Sequence, residues 1–255
     1  MSIWSAGGHV TVTVPDQTTL LDQLGARFAA GQGFSVATLN LDHVVKLRQD
    51  TQFRDAYGAH THITADGNPI VWLSRLAGQD VSLIPGSELI EPLMMVAARQ
   101  NVPVALYGAS QETLDQSAEV LQARHAGLQI VFRRAPAMGF DPMGEIAAAD
   151  MADLHASGAR LCFIALGAPK QECLAARAQE LFPDTGFVSI GAGLNFIAGS
   201  ETRAPAWVRA IAAEWIWRLV SDPGRLARRY GACILAMPGL TLRALQARRR
   251  AGHAS

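Results

Sequence analysis

The residues able to do chemistry in this sequence stand where short apolar runs stop. Thr38 and Asn40 close the run that begins at Phe34, and Asp66 and Gly67 fall in the segment Thr64-Ala65-Asp66-Gly67-Asn68-Pro69. Gly108 follows Val102 to Tyr107, Gln171 lies in Gly167 to Glu172 after Leu161 to Leu166, and Gly191 to Asn195 follow Phe187 to Ile190. An open α/β sheet binds ligands at the carboxyl ends of its strands, so these places are the first candidates for a substrate site. Each alone is a weak signal, since Asp-Gly is a common turn pair and Gly108 marks only a close backbone approach. Further along come Arg218, Arg225 and Arg228, whose planar forks suit phosphate oxygens. Their spacing of 7 and 3 would place them on one side of a continuous helix, but Pro223 and Gly224 interrupt it, so their convergence must come from the tertiary fold.

Several other chemistries fit poorly. Gly191-Ala192-Gly193 lacks the third glycine of the dinucleotide fingerprint, Phe196 standing in its place, and there is no Walker A loop. His60 and His62 near Asp66 suggest a metal site, although alternation along a strand with a structural role is the stronger reading. Cys162, Cys173 and Cys233 are odd in number and show no C-x-x-C spacing, which points away from a disulfide framework or structural zinc. Nothing in the sequence calls for a cofactor.

The elements that must position these residues follow from the apolar pattern. Strand-like runs at Phe34 to Asn40, Val102 to Tyr107, Leu128 to Arg133, Leu161 to Leu166 and Phe187 to Ile190 alternate with helical spacing. The helices are expected at Leu20 to Ala30, Asp42 to Ala56, Ser110 to His125, Ile146 to Ala156 and Lys170 to Leu181. This is an α/β class sequence with a Rossmann-like, mostly parallel sheet flanked by helices.

The 255 residues carry 22 basic and 22 acidic side chains, a balance that argues against a nucleic-acid partner bound through bulk charge. The balance is a cancellation. From Arg203 onward 10 arginines face only Glu214 and Asp222, leaving +8, while 12 cations against 20 acids in the first 202 residues leave −8. The chain therefore divides into a Rossmann-like core at 1–202 and a basic helical appendage at 203–255. Apolar residues at 207/208, 211/212, 215/216 and 219/220 make one helical face, and Ala232 to Leu242 are mixed with Arg228, Arg229 and Tyr230. Such a segment suits a helix lying on an anionic membrane surface, or one packed on the core with a solvated basic face. No run of 18 apolar residues spans a bilayer, and Met1 to Pro15 lacks the pattern of a signal peptide, so a cytoplasmic, peripheral location is expected.

Taken in order, Thr38-x-Asn40, Ala65-Asp66-Gly67, Gly167-Ala168-Pro169-Lys170-Gln171-Glu172, Gly191 to Gly199, Arg203-Ala204-Pro205 with Trp207, Glu214-Trp215-x-x-Arg218-Leu219 and Pro223-x-Arg225-x-x-Arg228 resemble the WecG/TagA/CpsF family of bacterial glycosyltransferases. The likeness runs from about Phe34 to Tyr230. It implies inverting, metal-independent transfer from a UDP-sugar (UDP-N-acetylmannosamine, UDP-glucose or a uronate) to an undecaprenyl-pyrophosphate-linked acceptor at the inner membrane face. Carried to matching positions, Asp66 becomes the general base, Thr38, Asn40 and Gln171 line the sugar, and Arg218, Arg225 and Arg228 meet the diphosphate. Cleaving the anomeric bond leaves negative charge on the diphosphate, so fixed cations opposite a carboxylate base suit the reaction. The chain departs from the pattern at Asn195, where many members carry aspartate, and in a loop before Phe196 that is one residue shorter than in the teichoic-acid enzymes. A non-catalytic α/β protein that binds a nucleotide-sugar or lipid is the alternative. The failed glycine fingerprint disfavours an oxidoreductase or methyltransferase.

Overall fold

A computed structural model of the chain describes residues 2–5, 8–205, 207–208, 214–221 and 223–251. An antiparallel hairpin, β1 (Ser2–Ser5) and β2 (Gly8–Thr11), precedes the main sheet. The elements then run α1 (Gln17–Ala29), β3 (Phe34–Leu39), α2 (Leu41–Lys46), α3 (Thr51–Ala59), β4 (His62–Ala65), α4 (Asn68–Leu76) and α5 (Ile90–Gln100). They continue with β5 (Val104–Gly108), α6 (Gln111–Arg124), β6 (Ile130–Arg134), α7 (Glu145–Ala156), β7 (Leu161–Ala165), α8 (Lys170–Leu181), β8 (Gly186–Ser189) and α9 (Gly193–Ala198). Helices Glu214–Ser221 and Pro223–Ala251 follow.

The six main strands lie in the order β4-β3-β8-β7-β5-β6, and every neighbouring pair is parallel. This is the α/β Rossmann-like architecture expected from the sequence. Every residue of β3, β4, β5, β7 and β8 is buried, because helices cover both faces of a parallel sheet and its strands need not alternate. Strand β6 is the exception. It alternates, and its edge carries Arg133, paired with Asp115 at 2.9 Å, and Arg134, paired with Asp150 at 2.7 Å and Asp153 at 2.8 Å. Charge on an edge strand discourages further pairing.

The faces of β3 show how the core divides. Phe34 and Val36 pack with α1, α5, α6 and α9, whereas Ala37 and Leu39 pack with α3 and α4. The chain leaving β3 goes to the second of these faces and the chain leaving β8 goes to the first, through Leu194 of α9. Adjacent strands whose continuations part to opposite faces open a crevice at their carboxyl ends.

Two local differences from the sequence reading have plain causes. The helix expected over Asp42 to Ala56 is two helices, because the Asp50 carboxylate accepts from the Phe53 amide at 2.9 Å and starts a new helix. The chain after β8, where Gly191 and Gly193 suggest a turn, turns at Gly191 (φ +56°) and Ala192, and α9 already begins at Gly193.

In the C-terminal part, Trp207 and Val208 are helical, and the expected face over 207 to 220 passes through 209–213, outside the described residues. Asp222 is outside them too, and the chain on either side of it forms two helices, with Pro223 opening the second. The long helix buries Leu226, Cys233, Ala236, Leu240 and Ala244, a helical stripe. Ala236, Leu240 and Ala244 join the same apolar cluster as Leu39, Val44, Ile70 and Leu73, so the helix rests on the β3–β4 side of the domain through α2 and α4. No described helix is long and apolar enough to cross a membrane.

Candidate functional site

Because all six strands are parallel, the residues that follow them share one edge. Leu39 pairs with Ala65, and the Asp66 amide donates to the Leu39 carbonyl at 2.8 Å, which puts Asn40 and Asp66 side by side at the ends of β3 and β4. Gly67 takes φ +97° and opens α4, so Asp66 sits in the turn expected of it. On the other side of β3, Gly191 follows β8, and its amide donates to Gln171 Oε1 at 2.9 Å. Thr38, Asn40, Asp66, Gln171 and Gly191 are thereby gathered around the ends of β4, β3 and β8.

The remaining expected residues stand apart from that group. Gly108 ends β5, two strands beyond β8, at φ +101°; a Cβ there would lie 2.5 Å from the Ala165 carbonyl oxygen. The close approach that demands glycine is therefore to the neighbouring strand β7. Asn195 lies in α9 and donates to Glu201 Oε1 at 2.8 Å, closing the turn after that helix. Arg228 is exposed on the C-terminal helix. Arg218 and Arg225 belong by backbone to the two C-terminal helices, and their side-chain roles lie outside what the structure describes.

Behind Thr38 and Asn40 is a buried network. The Tyr57 hydroxyl donates to the Thr38 carbonyl at 3.1 Å and lies 2.6 Å from His43 Nδ1. With its proton so used, the Tyr57 oxygen accepts from Nδ1–H, which leaves His43 Nε2 as an acceptor for Asn40 Nδ2 at 3.3 Å. Asn40 Oδ1 in turn accepts from the His43 amide at 3.0 Å and caps α2. Every proton in the chain is directed, so the Asn40 amide has one orientation. Burial pushes His43 down to about 3, keeping the imidazole neutral, and it pushes the Tyr57 phenol well up, helped by Glu172 and Asp66 nearby. Sequence reasoning missed His43 and Tyr57. Only the Asn40-x-x-His43 cap spacing hinted at the first.

A second cluster ties this edge to the C-terminal helix. Asp42, beside the β3 end, is paired with Lys46 at 2.9 Å and with Arg229 at 3.1 Å. Lys46 also donates to the Ala168 carbonyl at 3.1 Å, in the loop that leads through a cis Ala168–Pro169 bond into α8. The neighbour of Gln171, Glu172, is fully buried, and burial raises its carboxyl to about 7. Arg228 is thus one residue from an ion pair anchored two residues after Asn40.

On the opposite face, the single turn Gly86–Glu88 packs so close to the sheet that a Cβ on Gly86 would lie 2.7 Å from the Ser189 carbonyl oxygen. Beside it a cavity of about 330 Å³ is lined by Ser87, Glu88, Glu91, Gly193, Phe196, Ile197 and Arg203. Arg203 bonds Ser87 Oγ, faces Glu88 at 3.6 Å and lies over the Phe196 ring at 5.2 Å. His60 caps α3 and only His62 lies in β4, at its amino end, so the pair does not alternate along a strand as read: both are buried, with His60 Nδ1 meeting the Ala56 carbonyl at 2.7 Å and His62 Nδ1 meeting Thr61 Oγ1 at 2.7 Å.

A hydroxyl, two oriented amides and a carboxylate at one sheet edge can recognise a polyhydroxylated ligand and take a proton from it. A family model described as "Glycosyl transferase WecG/TagA/CpsF family" matches residues 7–254.

Proposed function

Because the chain belongs to the WecG/TagA/CpsF family and is a glycosyltransferase of cell-surface polysaccharide synthesis, we propose a specific reaction for it. It moves a sugar from a UDP-sugar to an undecaprenyl-pyrophosphate-linked acceptor, with inversion and without a metal ion. The observation that carries this reading is the meeting of Asp66, Thr38, Asn40 and Gln171 around the ends of β4, β3 and β8. The acceptor hydroxyl attacks the anomeric carbon as the bond to the diphosphate breaks. Its proton passes to Asp66, and the electron pair leaves with UDP. Arg228, with Arg218 and Arg225, meets the charge that develops on the leaving oxygen, the work a cation does elsewhere. UDP-N-acetylmannosamine, UDP-glucose and a uronate are the candidate donors.

The acceptor is a membrane lipid, and the segment from residue 203 is the part suited to reach it. Trp215, Ile216, Trp217 and Val220 of the short helix and Ile234, Leu235, Leu242 and Leu245 of the long one are exposed, among a C-terminal excess of arginine. That combination supports peripheral attachment to an anionic leaflet at the cytoplasmic face.

The test is a panel of UDP-sugars with a short prenyl-pyrophosphate-linked acceptor, for wild type and Asp66→Asn. Transfer by wild type should fall about 10²–10⁴-fold in the variant while UDP affinity is kept. UDP binding without turnover in wild type would instead identify a nucleotide-sugar-binding protein. Equal rates would remove Asp66 as the base, and loss of transfer in EDTA, restored by Mg²⁺ or Mn²⁺, would refute the metal-free step.

A further inference from the structure

Among the described residues, Glu172 is the one carboxylate at the carboxyl edge with no solvent exposure, and the reaction above does not use it. Its Oε1 accepts from Gln171 Nε2 at 2.8 Å, and its Oε2 is buried with no hydrogen-bond partner among the described residues. The charges around it come from α2, Lys46 and Asp42, which are already paired with each other. A carboxylate so placed is expensive to bury, and an apolar side chain of its size would often serve stability as well or better. Its retention calls for another role.

The geometry of Gln171 supplies one. Its two amide ends bond in opposite directions, Oε1 to the Gly191 amide at 2.9 Å and Nε2 to Glu172. Turning the amide over would set an NH₂ against the Gly191 N–H and a carbonyl against the carboxylate, losing both bonds. Glu172 and the Gly191 N–H together hold one end of Gln171 towards the sheet. Gly191, at φ +56°, is the residue through which the chain leaves β8 for α9. We propose that Glu172 is a positioning residue, which fixes the Gln171 amide and through it the Gly191 turn that borders the donor site. The part of this proposal that concerns the donor rests on the reaction proposed above.

Hydrogen exchange and UDP binding test the two halves separately, in wild type, Glu172→Met, Glu172→Gln and Gln171→Met. Glu172→Met keeps the volume and removes the acceptor, while Glu172→Gln keeps a carbonyl for Gln171 Nε2. The exchange of a peptide spanning residues 186–199 should quicken roughly tenfold in Glu172→Met, the equivalent of losing one such hydrogen bond. It should quicken alike in Gln171→Met and in the double variant, and it should stay near wild type in Glu172→Gln. Melting temperature should not fall in Glu172→Met. Unchanged exchange at this peptide would overturn the proposal. So would faster exchange throughout the core with a lowered melting temperature, since the carboxylate would then hold the core and not the turn. Calorimetric titration with UDP should show roughly tenfold weaker binding by Glu172→Met and wild-type binding by Glu172→Gln. Equal affinity in wild type and Glu172→Met overturns the link to the donor. A wild type that binds no UDP sinks the donor reading instead, and the exchange data alone then decide the role of Glu172.

Discussion

The end of β3 and the segment after residue 203 are built by opposite physical means. At β3 the polar groups are buried and each proton has an assigned direction, from Asn40 through His43 and Tyr57 to the Thr38 carbonyl. The long C-terminal helix buries a stripe of small and aliphatic residues on the domain and pairs Arg229 with Asp42, and the two C-terminal helices leave tryptophans, aliphatics and arginines facing outward. One region is organised before any ligand arrives, which suits recognition of a small sugar with fixed hydroxyls. The other keeps an exposed surface of apolar and basic side chains.

That contrast can be broken at its strongest point first. Arg228→Ala should lower kcat about 10²–10³-fold, the cost of removing one donor from a developing oxyanion. Its melting temperature should be unchanged, because the side chain is exposed. A matched loss of stability would mean that the outer region is structural after all. Next in size, Tyr57→Phe removes a donor to Thr38 and an acceptor from His43, and should cost about 1–3 kcal/mol of folding free energy. With Asn40 lining the sugar as proposed, donor KM should rise more than kcat falls, since the substitution loosens the support behind its amide. Unaltered kinetics in that variant would show that the buried network does not preorganise the site.

A pH series sharpens the same comparison with no substitution at all. Burial holds His43 down to about 3 and His60 and His62 down to about 4, against an ordinary 6.5. Below pH 6.5 the unfolded chain therefore binds three protons that the folded chain refuses. Glu172 acts oppositely, keeping its proton up to about 7 in the fold against an ordinary 4.5. With three groups against one, the urea midpoint should drop steadily from pH 6.5 to 4.5. A flat midpoint would show that water reaches these imidazoles. The smallest effect belongs to the outer surface: Leu235→Glu with Leu242→Glu should weaken sedimentation with anionic vesicles and leave fold and UDP binding intact. Truncation after Tyr230 is a poorer probe, because it also strips Ala236, Leu240 and Ala244 from the core.

Strands β3, β5, β7 and β8 were legible because a parallel sheet covered on both faces writes itself as unbroken apolar runs, as in Phe34–Leu39 and Leu161–Ala165, whereas the four-residue β4, His62–Ala65, was not among the runs read as strands. Thr38, Asn40 and Gln171 could be grouped once those runs were placed in one sheet, and Asp66 joins them through the pairing of β4 with β3. What stayed hidden depends on contacts between distant positions. Tyr57 reaches back 19 residues to Thr38, and nothing local distinguishes it from any other buried tyrosine. The break between α2 and α3 hid behind a continuous helical pattern, since the Asp50 cap competes with propensity only by its side chain. Glu172 reads as a solvated helix residue until packing removes its water. In the C-terminal segment the mixture of apolar and basic residues fitted both a membrane surface and the domain surface, and the long helix uses one side of itself for the domain and turns another outward.

The Asp42 cluster bears on how relatives of this enzyme can be recombined. A tail grafted from another member to redirect the acceptor would meet Asp42, Lys46, Ile70 and Leu73, all contributed by the first 80 residues. The unit that can be exchanged is thus discontinuous in sequence. Chimeras cut at residue 203 alone should dock poorly, and those that carry the matching α2 and α4 surfaces along with the tail should keep its arginines in place.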